Sequence, residues 1–243
     1  MIPQLAWWQW LLGAFCAFNV GVAKTGVPGV GILVIPLMVL VVGDVRQSAG
    51  WLLPILCIAD LFAVLYWRRH AEARRLFSLA PWVLAGMAGG AAALFLSERV
   101  LRPMVAVIIL LMLVAYLRRR YRADTIQVPG HSAPYGVAAG FATTVANAAG
   151  PVMSLYLLTQ QLPKDRFVAT GAWFFFLVNL TKVPIYWFHG LFSVTSLSFN
   201  ALMVPAVLAG ALMGRWLIER TPQKVFEALV ILLTFAAAML LFR

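Results

Sequence analysis

The sequence predicts an all-α polytopic membrane protein built from two inverted-topology repeats. Three observations carry that expectation. Of 243 residues, 63% are hydrophobic and only 11% charged, which is more apolar surface than a soluble domain of this length can bury. Apolar runs of about 18 residues or more recur along the chain, each long enough to cross a hydrocarbon core. The third observation is a match between the two halves of the chain. At an ungapped offset of 121 positions, Gly29 falls on Gly150, Asp44 on Asp165, Gly50 on Gly171, Gly89 on Gly210 and Glu98-Arg99 on Glu219-Arg220. Matches of glycine and charge at one offset are harder to obtain by chance than aliphatic ones, and they indicate a duplication.

Hydropathy read against breakers places five segments in each half. The first half (1–117) holds 5–20, 31–43, 48–67, 76–97 and 100–117; the second (133–243) holds 133–147, 150–162, 167–189, 196–218 and 225–242. A basic linker, 118–132, joins them. In each half the second segment is short and follows a glycine-containing break. The first two segments of each half are therefore read as short or re-entrant around that break.

Charge placement sets the topology. Eight of the 19 Lys and Arg residues fall in "RRHAEARR" (68–75) and "RRRYR" (118–122), each beside an apolar run. That is the pattern of cytoplasmic loops, so the net charge of +11 does not point to nucleic acid. Two segments separate these loops, so they share a side. Counting from them puts "LPKDR" (162–166) and "GRWLIERTPQK" (214–224) inside, and both termini in the periplasm. Five segments per half is odd, so the second half is inverted relative to the first. Joining each short segment to its predecessor would make the halves parallel, but it would put "GRWLIERTPQK" outside. The first run lacks the basic flank of a cleavable signal peptide.

Cys16 and Cys57 both lie in apolar runs and read as small hydrophobes. His70, His131 and His189 are far apart without ligand spacing, so neither a metal nor another cofactor is expected.

Three ionisable residues remain within segments or their breaks: Lys24, Asp60 and Lys182. A charge at membrane depth costs about 2.5–3.5 kcal/mol on insertion scales, so each needs a reason. In "VNLTKVPIYW" (178–187), Asn179, Lys182 and Tyr186 share one helical face, and Pro184 leaves the Leu180 carbonyl without its usual partner. Either this face lines a site, or it clamps a neighbouring helix, or Lys182 snorkels outward. Asp60, in "LPILCIADLFAVLY" (53–66), either balances Lys24 or Lys182 and carries a coupling proton, or holds helices together as a buried ion pair. The stretch "GVAKTGVPGVG" (21–31) and its counterpart "TTVANAAGPVM" (143–153) can present free backbone N–H groups at helix ends, which bind anions. Small residues also serve close helix packing, as in "AGMAGGAAA" (85–93).

At these residues the chain resembles the TauE/SafE family of sulfite exporters. The likeness rests on "GVAKTGVPGVGILVIPLM" (21–38), its weaker repeat "GFATTVANAAGPVMSLYLL" (140–158), and "ATGAWFFFLVNLTKVPIYWFHG" (169–190). The resemblance implies a bacterial inner-membrane protein with two homologous halves. It implies movement of small, often sulfur-containing anions such as sulfite, sulfonates or sulfoacetate. Carried over by position, the first break supplies Lys24, Thr25, Gly26, Gly29 and Gly31. The second break supplies Asn147 and Gly150, and the helix motif supplies Asn179, Lys182 and Tyr186. The second break has no lysine and only Gly150, so the two sides of the site are unequal.

The expected function is a secondary transporter, an exporter of a small oxyanion or organosulfonate, working by alternating access at a midplane site between the repeats. Its expected partners are the anion, the bilayer, protons as a coupling ion and a second copy in a homodimer. A passive anion channel and a carrier for a non-sulfur organic anion remain alternatives. An intramembrane enzyme would need a nucleophile with its base, paired carboxylates or a metal cluster, and none is present within short sequence spacing. A sensor or assembly subunit would want a soluble partner-binding domain, and no loop is long enough for one.

Overall fold

A computed structural model describes residues 3–93, 96–121, 131–146 and 148–242. Among the described residues the chain is all-helical, with 87% helix and no strand. The helices are α1 (Trp7–Thr25), α2 (Val34–Val42), α3 (Val45–Trp67), α4 (Ala73–Ala93), α5 (Glu98–Tyr121), α6 (Ser132–Ala146), α7 (Ala149–Thr159), α8 (Lys164–Phe188), α9 (Val194–Arg220) and α10 (Gln223–Leu240). Short 3-10 turns, Val30–Leu33 and Arg68–His70, precede α2 and follow α3. Each expected segment corresponds to one helix. Among the described residues, six stretches are long and apolar enough to cross a membrane: Gln47–His70, Ala73–Ala93, Arg99–Arg118, Lys164–Phe188, Val194–Arg220 and Gln223–Leu240. The chain is a multi-pass α-helical membrane protein.

Contacts gather the helices into two compact units. The first comprises 1–71 and 172–222, the second 72–171 and 223–243. The sequence halves 1–117 and 133–243 are thus not the compact units, because each unit takes helices from both. The chain passes from the second unit to the first within α8. Of the basic linker, Arg118–Tyr121 belong to the last turn of α5 and Ser132 opens α6; 122–130 lie outside the described residues.

In the first unit, α1 and α2 form a helical hairpin. The Gln9 side-chain amide donates to the Val41 carbonyl (2.8 Å), bringing the end of α2 back beside the first turn of α1. α3 then starts with Asp44 as its cap, its carboxylate accepting from the Gln47 N–H at 2.7 Å. α1 and α9 run side by side at backbone contact. A Cβ on Gly21 would overlap the Val207 carbonyl, one on Gly210 the Phe18 carbonyl, and one on Gly26 the Gly214 carbonyl. In the apolar core, Phe199 of α9 is tilted against Trp10 and Trp51, with ring centroids 5.5 and 5.0 Å away, and Cys16, Met38 and Ile55 pack around them.

The second unit contains a similar pair. Gly86 and Gly90 of α4 lie on Val137 and Thr144 of α6, and Gly140 of α6 lies on the Val83 carbonyl. One end of this unit is polar. Arg166 pairs with Glu72 (2.7 Å) and Arg120 with Glu227 (2.9 Å), while the Gln223 side-chain oxygen accepts from the Lys164 N–H (2.9 Å). The starts of α8 and α10, the end of α5 and the residue preceding α4 therefore meet at one level.

Candidate functional site

The sequence places the end of the first segment at residue 20 and a break over 21–31. The structure moves that boundary: α1 stays helical through Thr25. Gly21 is inside the helix because its missing side chain admits α9. The turn begins at Gly26, which caps α1, and Pro28 follows without a backbone N–H. Gly29 takes φ 102°, a left-handed conformation that a side chain disfavours. Lys24 is therefore held by a helix rather than carried on a loop.

The hairpin tip also has a measurable level. The Trp67 indole N–H donates to the Thr25 carbonyl at 3.2 Å, and Trp67 is the last residue of α3. α3 has 23 residues, a rise of about 34 Å that spans a hydrocarbon core of about 30 Å. The glycine-rich tip thus lies at the end of a full-length span. It is a turn level with the helix terminus, not a break halfway along it.

From that last turn Lys24 reaches back along α3. Its Nζ lies 2.8 Å from Asp60 Oδ1, and the Asn179 side-chain amide donates to Oδ2 at 2.7 Å. The carboxylate is fully buried, at 0% exposure, while Lys24 keeps 13%. On its other side Lys24 sits over the Phe175 ring, 4.2 Å from the centroid. Phe175 precedes Asn179 by one turn of α8, so one face of α8 supplies both an aromatic wall and an amide. Lys182, one turn further on, is buried at 7% exposure and within Coulombic reach of both Lys24 and Asp60. Tyr186 continues the face, half-buried, its ring 6.3 Å from Phe192. Cys57, one turn before Asp60, is partly buried and within Coulombic reach of both lysines.

The structure thus brings together Lys24, Asp60, Asn179 and Lys182 from α1, α3 and α8 of the first unit. Thr25 has another task. Its buried hydroxyl lies 2.7 Å from the Ala211 carbonyl and 3.0 Å from that of Gly21, tying α1 to α9. Gly26 is accounted for by its contact with Gly214, Gly29 by its φ, and Gly31 by its closeness to Ala23. Gly150 belongs to the second unit, in the first turn of α7, and a Cβ there would meet nothing within 4 Å. Asn147 lies outside the described residues. Phe175 was not singled out in the sequence, and Cys57 was read there only as a small hydrophobe. Their spacing of four and three residues from Asn179 and Asp60 was the available signal.

A buried lysine–aspartate pair thus lies within a multi-pass α-helical membrane protein. The chain belongs to the TauE/SafE family: the family model described as "Sulfite exporter TauE/SafE" matches residues 12–241. That family is one of membrane transporters. Neither the curated proteins nor the solved structures contain a match to the chain.

Proposed function

We propose that this chain exports a small anion, sulfite or an organosulfonate, across the bacterial inner membrane. The observation that carries the reading is the buried cluster of Asp60, Asn179 and Lys182 on the membrane-spanning helices α3 and α8, joined by Lys24 from the last turn of α1. A charge so placed is costly, and a transport site for an ionic solute is the reason it is kept. Lys24 and Lys182 attract the anion and Asn179 offers it an amide donor. Asp60 holds Lys24 in place between substrates, and its carboxylate is where a coupling proton would ride.

The family name supports sulfur oxyanions as the cargo. Alternating access by two repeats is supported by a contact pattern that occurs twice. In the first unit Gly214 lies against Val22 and Thr25, and the Thr25 hydroxyl donates to the Gly21 carbonyl. In the second unit Gly90 lies against Phe141 and Thr144, and the Thr144 hydroxyl donates to the Gly140 carbonyl. This pairs α1 with α6 and α9 with α4, as duplicated halves require. The meeting of four chain segments around Glu72, Arg120, Arg166 and Gln223 supports a single cytoplasmic side for the basic loops, with the termini periplasmic.

The test is flux from proteoliposomes loaded with sulfite, thiosulfate, sulfonates, sulfate or carboxylates, with and without a pH gradient. Saturable efflux of a sulfur anion that is lost in Lys24→Ala and Lys182→Ala supports the reading. Absence of saturable flux for every anion refutes it. Unchanged flux and pH response in Asp60→Asn removes the proton from Asp60.

A further inference from the structure

Away from the lysine–aspartate cluster, the ends of α3 and α9 meet. The Tyr66 phenol donates to Glu219 Oε1 at 3.2 Å, which sets the last turn of α3 beside the last turns of α9. The Arg215 guanidinium lies over the Tyr66 ring, 4.3 Å from its centroid, and its Nε–H donates to the same Glu219 oxygen at 2.8 Å. Arg220 lies over the Trp216 ring, again at 4.3 Å. Both rings are exposed, Tyr66 at 42% and Trp216 at 48%. α3 is a full-length span, so its end is the level of the membrane–water interface, where amphipathic rings collect.

Two features go beyond an interfacial belt. The first is charge. Over 61–71 and 208–222 the chain has one carboxylate, Glu219, against the four arginines Arg68, Arg69, Arg215 and Arg220. Glu219 engages Arg215 through Nε alone, and Arg220 makes no hydrogen bond or ion pair among the described residues. A guanidinium stacked by its face keeps its edge N–H groups for an oxygen acceptor, and two such groups together match a phosphate. The second feature is apolar. Leu61 and Leu65 of α3 and Leu212 of α9 are exposed in the turns leading up to these arginines. The dipole of α9 favours a cation at its C-terminus, but it does not account for two guanidiniums each stacked on an exposed ring.

We infer that the ends of α3 and α9 form a binding site for an acidic phospholipid. Arg215 and Arg220 hold its phosphate, and its acyl chains lie along Leu65 and Leu212. Charge complementarity selects the occupant: basic groups at the ends of membrane helices attract anionic headgroups. The exposed leucines commit the site to a lipid rather than a soluble phosphate. In the topology proposed above it faces the cytoplasmic leaflet. The site stands whether or not the transport reading does.

Native mass spectrometry of the purified full chain, titrated with phosphatidylglycerol or with phosphatidylcholine of the same chains, reads the affinity for each lipid. The expected result is at least tenfold tighter binding of phosphatidylglycerol. Arg215→Gln/Arg220→Gln should abolish that preference. Arg74→Gln/Arg75→Gln, an equal loss of charge in the second unit, should leave it unchanged. Arg215→Lys/Arg220→Lys keeps the charge but not the planar fork, and should weaken phosphatidylglycerol at least threefold. Arg220→Gln alone should do the same, which gives a second readout should loss of the Arg215–Glu219 contact disturb folding. Glycerol 3-phosphate in tenfold excess should not compete. Equal affinity for the two lipids overturns the inference. So does an equal loss in the two glutamine pairs, which would mean a general attraction to basic residues, or undiminished binding in the lysine pair. Competition by glycerol 3-phosphate would make the site one for a soluble anion and overturn the lipid assignment. A chain dimer that Arg215→Gln/Arg220→Gln dissociates, with lipid affinities unchanged, would give this face to a second copy and overturn it as well.

Discussion

Replacing Lys24 with methionine keeps the length and apolar stem of the side chain and removes its charge. Asp60, at 0% exposure, is then left with one oxygen facing no cation at hydrogen-bond distance. Removing one partner of a buried ion pair costs about 3–5 kcal/mol. The lower end applies here, because Asn179 still donates to Oδ2 and Lys24 is 13% exposed, so part of its charge is already solvated. At about 2–4 °C per kcal/mol for a chain of this size, a loss of about 3 kcal/mol lowers the thermal midpoint by roughly 6–12 °C. The assay is a tryptophan-fluorescence melt of the purified protein in one detergent, which follows Trp67 beside the Lys24 turn among other reporters. The double variant Lys24→Met/Asp60→Asn removes the stranded carboxylate along with the cation. It should recover most of the midpoint, since neutral replacement of a buried pair is often harmless. Its anion flux should stay lost. A Lys24→Met protein that melts with the parent, or a double variant less stable than the single one, would refute the reasoning.

Gly210→Ala and Gly26→Ala force a Cβ into the Phe18 and Gly214 carbonyls. Each should cost about 1–3 kcal/mol or abolish monodisperse protein in size-exclusion chromatography, whereas Gly150→Ala, with nothing within 4 Å, should leave the melt unchanged. Gly29→Ala keeps φ near 102° only under strain and should destabilise by about 1–2 kcal/mol, seen as a lower thermal midpoint. Asn200 is buried on α9, and neither amide atom has a protein hydrogen-bond partner among the described residues. Asn200→Leu should therefore raise the midpoint by an amount equivalent to about 1–3 kcal/mol; a fall would show that solvent satisfies the amide. Thr25→Val removes the hydroxyl that holds the Ala211 and Gly21 carbonyls and should cost about 1–2 kcal/mol in the same melt.

Much of the fold was legible in the residues. Ten apolar runs correspond to ten α-helices among the described residues because a backbone in hydrocarbon must satisfy its own hydrogen bonds, so a run of apolar residues has little choice but helix. The face carrying Asn179, Lys182 and Tyr186 was legible for the same reason, since the helical period puts those positions in line. The boundary at residue 20 was misplaced because Gly21 looks like a breaker in sequence. Only the approach of α9 shows that it is a packing surface. The ungapped offset of 121 sets Gly89 against Gly210, whereas the like contacts are those of Gly86 with Val137 and Gly210 with Phe18, and of Gly90 with Thr144 and Gly214 with Thr25. Offsets shift where loops differ in length, and contacts record the register of the helices themselves.

By itself, then, the sequence determined which stretches are helices, which charges are too costly to be incidental, and the family. Those follow from local composition and period, quantities that each segment carries alone. The tertiary structure decided that Lys24 pairs with Asp60, that Asn179 takes the other oxygen, and that the glycine-rich turn sits level with Trp67. It also decided that the compact units draw helices from both halves. Lys24, Asp60 and Asn179 lie far apart along the chain. Nothing in a single helix specifies which distant helix will cover its charge; packing and the need to neutralise a buried carboxylate do.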